Sequence, residues 1–114
     1  MGIQDWSDNV ILVHLAQEPD MGEELATTIQ MICGRADKDV VVDFAEVDII
    51  TSSSLSKLLK LRKALADSGR RLVLSSVHPQ TYSVFRLTGL DSVFSFVQDL
   101  FLALAGLQMA SQPD

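Results

Sequence analysis

Four consecutive apolar positions, Val10-Ile11-Leu12-Val13, follow the turn-forming pair Asp8-Asn9 and predict a hairpin of Trp6–Ser7 with Val10–Leu15. The polar stretch Gln17-Glu18-Pro19-Asp20 reads as a loop. From Glu23 to Cys33, Leu25, Ala26, Ile29 and Ile32 recur at helical spacing, and Gly34 closes that helix. Val40-Val41-Val42-Asp43-Phe44 is nearly continuous, the pattern of a strand buried on both faces, which places it centrally in a sheet. After a connector ending in Ile49-Ile50, the hydroxyl run Thr51-Ser52-Ser53-Ser54 introduces a helix. Its apolar stripe is Leu55, Leu58, Leu59, Leu65 and Ala66, Ser68-Gly69 stops it, and Lys57, Lys60 and Lys63 fall on the opposite face.

Arg71–Ser75, with Leu72-Val73-Leu74, predicts another buried strand, and His78-Pro79 opens a helix through Tyr82, Phe85 and Leu87 to Gly89. Val93–Val97 reads as a last short strand and Asp99–Leu107 as an end helix. Strand and helix alternate from residue 36 onward, which favours the α/β class, right-handed crossovers and a mixed sheet covered by helices. Residues 1–109 are expected to form one domain and 110–114 a flexible tail.

The chain's 114 residues, 47% hydrophobic and 21% charged, suit one globular core and exclude a disordered or fibrous chain. Nine basic against fifteen acidic residues give 9 − 15 = −6, so a phosphate backbone is repelled and nucleic acid is excluded as a partner. The same charge opposes direct binding to anionic membrane lipid. Met1–Trp6 has neither the basic nor the apolar stretch of a signal peptide. No apolar run reaches the roughly 20 residues of a spanning helix, so a cytoplasmic protein is expected. The lone Cys33 forbids an intrachain disulfide and is read as a buried small hydrophobe.

Candidate chemistry is sparse. His14 and His78 have no Cys or His partner at metal-ligand spacing and are read as locally satisfied. Neither a Gly-x-Ser-x-Gly elbow nor a phosphate-cradling glycine loop is present. Asp43, Glu46 and Asp48 read as a solvated turn after a strand. These observations favour a protein that is not an enzyme and needs no cofactor or metal. Arg62 interrupts the apolar stripe of the second helix, its alkyl stem snorkelling at the edge. One hydroxyl of Thr51–Ser54 suffices as a helix cap, and the others read either as loop filler or as candidate phosphorylation sites. A phosphate there meets free backbone N–H groups and the positive end of the helix dipole.

Val40–Phe44, Val47–Leu55, Gly69–Leu74 and Leu87–Phe94, spanning almost the whole chain, together resemble the STAS domain of bacterial anti-sigma factor antagonists. The piece Thr88-Gly89-Leu90-Asp91-Ser92-Val93-Phe94 is the most specific. The resemblance places the family's Asp-Ser-Ser-Gly phosphorylation motif on Thr51, Ser52, Ser53 and Ser54, with Ser53 as phosphoacceptor and Ser52 as second choice. Thr51 thus lacks the family's carboxylate and Ser54 adds a Cβ where the family has glycine. Asp20 falls where the family carries an acid near the phosphoacceptor. The resemblance implies a switch in which the unphosphorylated domain docks onto a GHKL-class anti-sigma serine kinase through Asp20, Thr51, Ser52, Ser54 and Lys57. Serine phosphorylation releases it and a phosphatase resets it.

Two other readings compete. The altered Asp-Ser-Ser-Gly motif favours a STAS scaffold that is never phosphorylated, or a subunit of a stressosome-like or lipid-transport complex. A small-ligand-binding or catalytic α/β domain has the fold but lacks a constellation of residues.

Overall fold

A tight turn at Asp8-Asn9 joins β1 (Gly2–Ser7) to β2 (Val10–His14), which pair antiparallel. The computed structural model describes residues 2–34 and 37–111. It continues with α1 (Asp20–Gly34), β3 (Asp39–Asp43), α2 (Ser52–Asp67), β4 (Leu72–Ser75), α3 (Pro79–Leu87), β5 (Ser95–Val97) and α4 (Leu100–Ser111). The five-stranded sheet has the order β1-β2-β3-β4-β5, with every neighbouring pair after the first parallel. This is the mixed, helix-covered α/β sheet expected from the alternating pattern.

β1 is longer than the predicted Trp6–Ser7 strand and reaches back to Gly2. Its exposed residues Gln4 to Ser7 lie on a sheet edge, where polar side chains suit a strand and leave little apolar signal. The last strand is shorter than predicted. The N–H groups of Val93 and Phe94 both donate to Leu90 O, at 3.0 and 3.3 Å, so these residues close a 3-10 turn before β5 begins. α4 runs past the expected end at Leu107 through Ala110 and Ser111, and residues 112–114 lie outside the described residues.

The two faces of the sheet bury different residues, as strand alternation requires. Ile11, Val13, Val40, Val42, Leu72 and Leu74 face the layer of α1, α2 and α3, while Val10, Leu12, Val41 and Val73 face Ala103, Leu104 and Leu107 of α4. All five residues of β3 are buried, which explains its nearly continuous apolar sequence. The buried face of α2 is Ser54, Leu55, Leu58, Leu61 and Leu65. Ala66, assigned to that stripe from sequence, is exposed, and Leu61 takes its place because it continues the line through Leu58 and Leu65. Cys33 is also exposed, contrary to expectation, since neighbouring Ile32 is the residue that α1 turns inward.

Phe85 sits at the centre of an aromatic cluster. It is fully buried, edge-to-face with Phe44, Phe94 and Phe96 at centroid distances of 6.3, 5.6 and 5.1 Å. We expect Phe85→Ala to cost about 3–5 kcal/mol in urea unfolding through lost contacts and a residual cavity. Leu87→Ala, at a side chain 87% exposed, is expected to change stability by less than about 0.5 kcal/mol.

Candidate functional site

The hydroxyl run lies where β3 hands the chain to α2, and its four residues have different fates. Thr51 is the N-cap: its backbone is extended (φ −83°, ψ 162°) and its Oγ1 accepts from Ser54 N–H at 3.1 Å. Ser52 and Ser53, in the first turn, are exposed. Ser54, expected with them at a contact surface, is only 1% exposed and points inward, because the helix turns its third residue toward α1.

The cap is completed by a residue that the sequence reading left in a loop. Glu18 Oε2 accepts from both the N–H and the hydroxyl of Thr51, each at 2.9 Å, across 33 positions of sequence. The first turn of α2 contains no acid of its own, so Glu18 supplies the anion that a helix start favours. Partial burial by itself raises the Glu18 carboxyl. The bond from Thr51 N–H, the hydroxyls of Ser54 and Thr51, and the charge of Lys57 together outweigh it and hold the group below its ordinary value.

Lys57 does not share the outer face of α2 with Lys60 and Lys63. It is half-buried between the helices, with Nζ donating to Gly22 O at 3.3 Å. The fit at Gly22 is close, since a Cβ there would lie 3.0 Å from Lys57 Nζ and 3.7 Å from Ser54 Oγ. Asp20 opens α1 as an exposed residue. The acid that reaches the α2 cap is Glu18, two positions earlier and before a cis peptide bond to Pro19. The one sequence signal for it was indirect: a threonine at a cap whose first turn has no acid leaves room for a carboxylate from elsewhere.

The connector from β3 to α2 is firmly held. Asp43 is not a solvated turn acid but is 9% exposed, its Oδ2 accepting from His14 Nδ1 at 2.9 Å and its Oδ1 from Ala45 N–H at 3.0 Å. His78 Nε2 donates to Ala45 O at 2.8 Å, so both histidines tie down this turn, the local satisfaction expected of them. Thr81 Oγ1 donates to Asp48 O at 3.0 Å. Between buried Val47 and Ile50, Ile49 is 70% exposed on this pinned backbone. Beside the run Thr51–Ser53, the connector therefore presents an exposed apolar side chain together with exposed Glu46 and Asp48. Among the described residues no cluster of three or more His, Cys, Asp or Glu is placed to hold a metal ion, and no helix is long and apolar enough to cross a membrane.

Strand order and helix placement define a small α/β domain with an exposed serine pair at the capped start of α2. The sequence model of the STAS domain matches residues 7–106, and the chain belongs to the STAS domain family. It is 27% identical over 99 residues to BtrV of Bordetella bronchiseptica, named as an anti-sigma factor antagonist, covering 87% of this chain and 82% of that one. Its fold is similar to an anti-sigma-factor antagonist (STAS) domain protein from Planctomyces limnophilus, with TM-score 0.76, 23% identity and 96% and 97% of the two chains covered. It is also similar to the Bacillus cell fate determinant SpoIIAA in its phosphorylated form, with TM-score 0.70, 14% identity and 92% and 96% covered.

Thr51→Ala removes both the cap acceptor and a donor to Glu18, and is expected to cost about 1–2 kcal/mol in urea unfolding. Because folding depresses the Glu18 carboxyl below 4.5, its contribution is complete above that pH and is lost as pH falls through the lower folded-state value. The stability gap between wild type and Glu18→Gln is therefore expected to be constant near neutrality and to narrow below pH 4.5, as followed by denaturant unfolding across pH.

Proposed function

We propose that this domain is an anti-sigma factor antagonist in a partner-switching pathway, acting by docking rather than catalysis. Unphosphorylated, it binds an anti-sigma serine kinase of the GHKL class; phosphorylation at Ser53 releases it, and a phosphatase restores it. The observation that carries this reading is the division of labour within Thr51–Ser54. Thr51 is spent as the cap and Ser54 is buried, so Ser52 and Ser53 are the hydroxyls left for a kinase to reach. The family motif selects Ser53 between them. The likeness to BtrV supports the antagonist role, and the likeness to SpoIIAA in its phosphorylated form supports a domain of this fold that accepts phosphate.

The surroundings give the switch its direction. A phosphate on Ser53 adds about −1.5 to −2 charge beside a helix start already neutralised by ionised Glu18, with Asp20 exposed two positions after Glu18 and Asp48 exposed five positions before Ser53. An interface that accepts the neutral serine must then desolvate a dianion among acids, which weakens docking. Ile49 supplies the apolar anchor of the contact, and Asp20, Thr51 and Ser52 line it. Lys57 and Ser54 act from within by joining α1 to α2.

Intact-mass spectrometry after incubation with such a kinase and ATP is expected to show one added phosphate in wild type and Ser52→Ala and none in Ser53→Ala. Ser53→Glu is expected to weaken kinase binding by about tenfold or more. Measurable binding with no phosphate added would overturn the phosphoswitch and leave a constitutive scaffold.

A further inference from the structure

α2 runs 16 residues, about 24 Å at 1.5 Å per residue, so its far end lies well away from the serine pair. There Arg62, Arg70 and Arg71 line a groove of 180 Å³ floored by Val73 and Phe94, with no acid in its lining. Arg62, unexplained by the helix pattern, is held by its Nε donating to Val93 O at 2.9 Å, a bond that leaves both terminal nitrogens for other acceptors. The other two are placed by the way α2 ends. Gly69, in the left-handed region at φ 71°, donates to Ala66 O at 3.0 Å and Arg70 N–H donates to Leu65 O at 2.8 Å, a Schellman closure that turns the chain sharply.

Among the described residues, the acid that meets these arginines is Asp39, whose side chain is 5% exposed. Its Oδ1 accepts from Arg71 N–H at 2.8 Å and lies 3.4 Å from Arg70 Nε, while its Oδ2 lies 3.8 Å from Arg71 Nη2. Arg70 Nε is buried, and that approach to Asp39 lacks hydrogen-bond alignment. Three guanidiniums against one carboxylate leave 3 − 1 = +2 on a chain whose net charge is −6. Like charges gathered in one groove repel, and a bound anion relieves that repulsion.

We propose that this groove binds the phosphate or diphosphate end of a small molecule. Guanidinium forks match phosphate oxygens in pairs, and the residual charge matches a dianion. The volume lies below the roughly 300–1,000 Å³ that encloses a whole drug-sized ligand, so the groove takes the anionic end and leaves the remainder outside. The site is separate from the Ser53 switch, so the two readings stand or fall independently.

The test is titration of inorganic pyrophosphate into the ¹⁵N-labelled full chain, with citrate and sulfate at matched ionic strength as parallel arms. Saturable amide shifts centred on residues 70–73 and 93–95, with a Kd of about 1 mM or tighter, are expected. Arg62→Gln with Arg71→Gln is expected to weaken binding about tenfold or more, and the exposed Arg62→Gln alone to weaken it measurably. Arg70 is retained so that buried Asp39 keeps a partner. Ser53→Glu is expected to bind pyrophosphate like wild type. No saturable shift, shifts equal for sulfate, or affinity unchanged in the double variant would overturn the site; equal binding of citrate would overturn its assignment to phosphate.

Discussion

The constraint on which the structure depends is that strand order in the sheet equals strand order in the chain. Crossovers of one hand between successive parallel neighbours put every crossover helix on the same face, and α1, α2 and α3 all pack there. α2 is the middle helix of that layer and follows the fully buried β3. Its first turn must therefore surface at the carboxyl end of the sheet, where open α/β sheets present their functional loops. The serine pair is exposed because the sheet leaves that helix start no other place to go.

At that point the fold supplies locally what the helix lacks. An uncapped helix start leaves unpaired N–H groups and a partial positive charge. Thr51 satisfies one group from within the segment and Glu18 meets Thr51 from another element. The consequence is a helix start whose positive end is already answered, so an added phosphate there arrives as surplus negative charge. Lys57, half-buried against Gly22 between the helices, is the near counter-charge, and its bond to Gly22 O commits it to the α1–α2 contact.

Much of this was legible in the sequence because it is periodic. The triple valine of β3, the leucine stripe of α2 and the Ser68-Gly69 stop each follow from a local rule, and each is present in the structure. What escaped was non-local. Glu18 looked like loop filler since its partner lies 33 residues away. Asp43 looked like turn chemistry until His14 was seen beside it on the neighbouring strand. Arg62 looked misplaced in its stripe until Val93 O was found to receive it. β1 was undercounted because an edge strand tolerates the polar residues that hide it.

The division of the core between two unequal layers also has an order in time. Chain synthesis delivers β1 to β5 in the sequence in which they pair, so each strand meets its neighbour soon after it emerges. The reverse face of the sheet is different, since Val10, Leu12, Val41 and Val73 have no cover until Ala103, Leu104 and Leu107 arrive in the final helix. A nascent chain with all five strands formed still carries that apolar face open to water, the kind of surface that chaperones recognise and that aggregates form on. α4 is thus the element that closes this face of the sheet from water.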